Sequence, residues 1–238
     1  MRRSSVALLA VLVLAGCQTT QEKNAQIAKR LGKHNADAAV TKLKGSDPSV
    51  RVLSAQIVST SGSTAAALEL TNTSSTPQAD IPILITAYDA AGKAVYTNAT
   101  VGAGSPSGEL SLLAAHATAW WVDASVLSSA GAPVRVVAAL GAPTAKAPQL
   151  TLSAAGIAGG SNFVGPLISG KAINGTSSVL SMVTVYAVAL AGSKVLAAGQ
   201  SVIPTLAANH SSAFQVNVIG HVKGATYAAT IAPAHIGQ

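Results

Sequence analysis

Acidic side chains are scarce in this chain, and residues 149 to 238 contain none: Lys171, Lys194 and Lys223 are the charged side chains there. A glycosidase-type acid–base pair needs two carboxylates and a hard-metal site needs several, so both are excluded from that stretch. Aromatic residues make up only 3% of the chain while Ala, Val and Leu abound. Such a core lets sheets approach closely, but each side chain buries less apolar area than Phe or Trp would, which predicts modest stability. Cys17 is the one cysteine, so the chain has no internal disulfide and depends on packing. No Gly-x-Ser-x-Gly elbow, Walker A loop, Rossmann glycine fingerprint or His-Glu-x-x-His motif occurs. The five histidines (His34, His116, His210, His221, His235) form no short-spaced pair, and no second thiol could complete a zinc site. These absences predict a protein that is not an enzyme and that has no cofactor and no metal.

The N-terminus is distinctive. Arg2 and Arg3 precede an apolar run from Val6 to Leu14, too short to span a bilayer, and Leu14-Ala15-Gly16-Cys17 follows. This order is that of a secretory signal, and Leu-Ala-Gly-Cys resembles the lipobox of bacterial lipoproteins. The resemblance implies that residues 1–16 are a cleaved signal peptide and that Cys17 is acylated and becomes the mature N-terminus. Two or more acyl chains hold a protein stably on a membrane where one would exchange. Gln18 stands where Asp tends to retain lipoproteins at the inner membrane. The resemblance therefore points to the outer membrane, facing the periplasm.

Positive charge gathers next to this anchor. Residues 18 to 51 carry seven basic side chains against Glu22, Asp37 and Asp47, whereas everything beyond carries six basic and five acidic ones. A basic stalk beside anionic headgroups gains up to ~1 kcal/mol per close cation. The later residues offer no basic face for nucleic acid. Over 17–49, Thr20 and Asp37 are candidate caps for two short helices ending at Gly32 and Gly45. Apolar residues are sparse there, and short isolated helices are marginal in water. The segment is predicted to be a weakly helical, mobile tether that holds the rest roughly 30 Å from the membrane.

From residue 50 the pattern becomes short runs of Val, Ile and Leu separated by Gly, Pro, Asn and Ser, the signature of an all-β chain. Several segments occur twice. Leu68-Glu69-Leu70-Thr71-Asn72 answers Gly170-Lys171-Ala172-Ile173-Asn174, each ending at an Asn-led turn. Ile83 to Tyr88, with its turn at Gly92-Lys93, answers Val183 to Leu190, with its turn at Gly192-Ser193. Leu113 to Val122 answers Leu206 to Val216 when one inserted residue is allowed. That alignment puts His116 and His210 at one repeat position, a turn before a core strand, where a structural role is favoured. Each copy spans about ninety residues with roughly seven strands, which predicts two tandem immunoglobulin-like β-sandwiches over 50–142 and 149–238. A linker containing Pro143 and Pro148 separates them.

The Asn-led turn, the strand into Tyr88-Asp89-Ala90-Ala91-Gly92, and Ala114-Ala115-His116 before an aromatic strand resemble the small immunoglobulin-like domains of bacterial envelope lipoproteins. The FxLYD and YcfL-like groups are the nearest. The resemblance implies fold and location, and almost no activity. Glu109 is expected in a Gly- and Ser-rich loop, Asp89 in a hairpin turn and Asp80 at a strand edge, all as solvated residues. Asn72, Asn98, Asn174 and Asn209 fall in formal glycosylation sequons, for which strand-connecting turns are the default reading.

Strand alternation sharpens one site expectation. With Trp120 aligned to Phe214, Trp120 and Val122 point inward, while Trp121 and Asp123 point outward as a candidate interaction surface. The resulting expectation is a non-catalytic lipid-anchored envelope protein, joined to the membrane through Cys17, whose sandwiches bind an unidentified envelope protein. The alternative is a glycan- or small-ligand-binding lipoprotein, which needs a concave aromatic site. An enzyme would need a pocket joining Asp89, Asp123 and His116.

Overall fold

The computed structural model describes residue 43 and residues 45–99, 108–126, 131–143 and 145–235. The expected signal segment, Cys17 and the tether up to residue 42 lie outside the described residues. Among the described residues all regular structure is antiparallel β. The first half contributes β1 (Val50–Thr60), β2 (Ser63–Asn72), β3 (Gln78–Tyr88), β4 (Ala94–Thr97), β5 (Gly108–Leu113), β6 (Thr118–Asp123), β7 (Arg135–Leu140) and β8 (Ala145–Lys146). The second contributes β9 (Leu152–Ser161), β10 (Pro166–Asn174), β11 (Leu180–Ala191), β12 (Lys194–Leu206), β13 (Ser211–Asn217), β14 (Ile219–Gly220) and β15 (Thr226–His235).

The two halves repeat one plan. A three-stranded sheet β1-β2-β6 is matched by β9-β10-β13, and a sheet centred on β3 is matched by one centred on β11. Strand β3 is flanked by β4 and β5 on one side and by β7 and β8 on the other, where β11 has the unbroken β12 and β15. The first half therefore sets three strand lines against three, and the second adds the short β14 at the edge of β12, which gives that half the seven strands expected. Every ladder joins strands of the same half, and β8, inside the expected linker, pairs with β3.

Local sequence accounts for these elements. In β13, Phe214 and Val216 are buried while Ala213, Gln215 and Asn217 are exposed, the alternation of a strand with one wet face. In β3, Ile81, Ile83, Ile85 and Ala87 share the inner face. The buried Asn72 and Asn174 explain why the repeat is visible in the sequence. The Asn72 side chain accepts from Ser74 N at 2.9 Å and donates to Thr76 O at 2.8 Å and Ala114 O at 3.1 Å. Asn174 does the same with Thr176 N, Ser178 O and Ala207 O at 3.0, 2.8 and 3.1 Å. One amide thus ends a strand, shapes its turn and ties that turn to another, and so satisfies backbone groups that burial would otherwise strand.

The halves are not beads on a string. In β2, Ala65, Ala66, Ala67 and Leu68 are all buried, so consecutive side chains on opposite faces are both covered. One face of the β1-β2-β6 sheet packs on the β3 sheet of its own half, and the other packs on the β11 sheet of the second half. Tyr186, Val188, Val195, Ala198 and Ala232 accordingly belong to one core with Leu68, Ile83 and Trp121. A second core, with Phe214, Val216, Val185 and Ile231, fills the space between the β11 and β9-β10-β13 sheets. The four sheets form a stack in the order β3, β2, β11, β10. Gln56 ties its two middle layers, donating to Ser193 O at 2.8 Å and accepting from Val195 N at 2.9 Å.

Candidate functional site

The repeat departs from itself at one place. Strand β12 runs unbroken beside β11, whereas its counterpart in the first half is split into β4 and β5. Asn98 stands at the end of β4 and supplies the missing ladder rungs with its side chain. Its Oδ1 accepts from Ile85 N at 2.8 Å and its Nδ2 donates to Ile83 O at 2.9 Å. A side-chain amide carries the same donor and acceptor as a peptide, so the sheet stays paired where the strand leaves it. Asn98 is thus a pairing residue, not an ordinary turn.

A cleft of about 400 Å³ opens at this break, between β4, β5, β6 and the β11 sheet. Its walls include Tyr96, Glu109 and Asp123 from the first half and Thr184, Tyr186 and Gln200 from the second. Asp123 is only 8% exposed. Its Oδ2 accepts the Tyr96 hydroxyl at 2.7 Å, and its Oδ1 accepts from Ser125 N and Oγ at 2.9 and 2.6 Å. Trp121 forms the floor: its indole N–H donates to Glu109 O at 3.2 Å, and Tyr186 lines the cleft with it. Burial, then the hydrogen bond and charge of Asp123, pushes the Tyr96 phenol well above its ordinary range. Burial and the charge of Glu109 do the same to Tyr186. Both tyrosines are therefore neutral donors and acceptors, and both report a negative potential in the cleft.

Trp121 and Asp123 are consequently not on an exposed sheet face, and the expected orientation is corrected. Leu68 pairs with Trp121 and Gly170 pairs with Phe214, while Leu68 and Gly170 each lie four residues before the matching asparagine. Trp121, not Trp120, is the counterpart of Phe214, and from Leu113 to Asp123 the first copy matches Leu206 to Val216 with no inserted residue. A one-residue slip along a strand exchanges its faces. Trp121 is 4% exposed inside its own half. Trp120 turns outward but is only 7% exposed, because the second half covers it; its backbone N donates to Thr230 Oγ1 at 2.7 Å.

The same register separates the two histidines. His116 N donates to Ser74 O and Asn209 N to Thr176 O, so His116 answers Asn209, both at positive φ, and His210 answers Ala117. Glu109 lies in β5 rather than in a loop. Asp80 sits within β3 at φ 50° rather than at its edge. Asp89 is the turn residue expected, accepting from Ala91 N and Lys93 N, each at 2.9 Å. The cleft contains Asp123, but neither Asp89 nor His116 lines it. Among the described residues no three His, Cys, Asp or Glu side chains gather as a metal site would require.

Sequence reasoning missed Tyr96, Tyr186 and Gln200 as site residues. The signal that could have found Tyr96 is the repeat in its true register, whereas Tyr186 and Gln200 reach the cleft only through the packing of the two halves. Tyr96, opposite Ala87, answers Ala197, opposite Ala189, and Asp123 answers Val216. A fully buried alanine and valine in one copy stand where the other has a phenol and a carboxylate. The chain matches no family model and no curated protein.

Proposed function

We propose that this chain is a non-catalytic lipoprotein of the bacterial cell envelope, held at the outer membrane through acylated Cys17, whose stacked sheets form a rigid receptor for a small polar ligand. The observation that carries the binding role is the cleft, which lies where the first copy of the repeat has Tyr96 and Asp123 in place of an apolar pair. A buried carboxylate and phenol weaken a core unless they serve something, and such groups in a concavity are the usual marks of a ligand site. The anchor rests on Leu14-Ala15-Gly16-Cys17. We read each half as immunoglobulin-like. Its first, second and fifth strand lines face the fourth, third and sixth, and antiparallel sheets opposed in this way characterise that fold.

A protein–protein role is the second reading, and one observation favours it. The β9–β10 turn presents Phe163, 100% exposed, beside the exposed Val164. Exposed aromatic tips of this kind serve as anchors in interfaces.

Amide-shift mapping on the full chain in detergent separates the two readings. With a mixture of monosaccharides, amino acids and polyamines, shifts gathered on Glu109, Thr184 and Gln200 are expected. An unmoved cleft, with shifts at Phe163 and Val164 when outer-membrane proteins are added, would transfer the function to the second reading. For the anchor, Cys17→Ser should abolish incorporation of a palmitate analogue, and retained label would end the lipoprotein proposal.

A further inference from the structure

Resting on the reading of the cleft as a ligand site, we infer that its ligand is a small organic cation, an alkyl amine or polyamine, rather than a sugar, an anion or a metal ion. Among the described residues the wall carries two carboxylates, Glu109 and Asp123, and no Lys, Arg or His. The hydrogen bonds of Asp123 come from neutral donors, the Tyr96 hydroxyl and Ser125, so its charge is met by no cationic side chain among them. A buried charge without a counter-ion is costly, and an incoming ammonium would offset that cost.

The donor and acceptor balance points the same way. The indole N–H of Trp121 is committed to Glu109 O, and the Tyr96 hydroxyl to Asp123. Acceptors remain on Glu109, on Asp123 and at the rim on Gln200, and an ammonium group brings only donors. An anion would face two carboxylates in a site whose tyrosines already feel their charge.

Sugars and metal ions fit less well. A sugar ring needs an exposed aromatic face to stack on, yet Trp121 and Tyr186 are both buried, and the half-buried Tyr96 is tied by its hydroxyl to Asp123. Calcium takes six to eight oxygens, and among the described residues no group of three acidic or histidine side chains forms. At about 400 Å³ the cleft holds a polyamine-sized molecule in an extended or bent form.

The test is equilibrium dialysis of the full chain in non-ionic detergent with labelled spermidine, glucose and citrate, alongside amide shifts of Glu109 and Gln200. Spermidine should bind and move both amides, with neither glucose nor citrate competing. Glu109→Gln keeps the side-chain shape and should weaken spermidine at least fivefold, while Lys194→Gln, outside the cleft, should leave it unchanged. Spermidine binding that ignores Glu109→Gln overturns the inference, because the cation then sits elsewhere. Glucose or citrate moving the cleft amides where spermidine does not would sink the cationic assignment and leave the cleft reading standing. If none of the three binds or moves those amides, both fail.

Discussion

Two of the four tyrosines carry the clearest electrostatic signature of the molecule. Tyr96 and Tyr186 are both held protonated beyond the ordinary phenol value of 10.0, chiefly by burial and then by the neighbouring carboxylates. The consequence for stability has a definite sign. Below about pH 10 the phenols are neutral in both states and contribute no pH dependence. Above it the unfolded chain releases protons that the folded chain keeps, so stability falls as pH rises through that value. Phenolate absorbance should therefore show two tyrosines ionising only in step with the loss of β-sheet circular dichroism. Ionisation of all four ahead of unfolding would contradict the buried placement of this pair. The neighbouring Asp123 illustrates how little a single sequence position discloses. As text it is an acid at the end of an aromatic strand. Beside Val216 in the repeat it is a charge substituted into a core position.

At the scale of elements, the strand β6 decides the architecture. Its two tryptophans face opposite ways and are buried for different reasons: Trp121 by its own half and Trp120 by the second half. Either truncation removes a large aromatic volume from a closed interior, so Trp120→Ala and Trp121→Ala should each cost ~3–5 kcal/mol by urea denaturation. A near-neutral Trp120→Ala would mean that the second half does not cover that face. Split strand β4–β5 is the other element that matters. At Gly108 an added Cβ would lie 2.7 Å from Asn98 Nδ2 and 2.8 Å from Trp121 Cζ2, so glycine lets the indole and the bridging amide meet over the backbone. Continuous β12 has a close approach of its own at Gly199, where an added Cβ would run into the backbone carbonyl of Asn217.

For the whole molecule, the shared middle layer has a mechanical consequence. Ladders close within each half, yet the β1-β2-β6 sheet has both faces buried, one of them by the other half. Hydrophobic cores that continue across a boundary couple the units on either side, unlike the small polar contacts typical between domains. The full chain in detergent should unfold in one transition, with tryptophan fluorescence, centred in the first half, coinciding with circular dichroism from both. Two separated transitions would show that the halves are energetically independent and that the interface contributes little.

Much of this fold is legible without coordinates. Alternation in segments such as Ser211–Asn217, the punctuating Gly and Asn residues and the duplicated Asn-led turns determine an all-β chain with two similar halves, because strand period and turn chemistry are local properties. The turn role of Asp89 follows for the same reason. What the sequence could not determine is phase and partnership. Trp120-Trp121 reads equally well in either orientation, since a one-residue gap in aligning the copies exchanges the faces, and only the pairing of Leu68 with Trp121 removes that freedom. The run Ala65-Ala66-Ala67-Leu68 is apolar at every position, which marks a strand covered on both sides but does not say by what. The tertiary structure supplies the second half as the cover. It also brings Tyr186 and Gln200 to Asp123 across long sequence separations, and the cleft exists only because sheets from both halves meet where β4 ends.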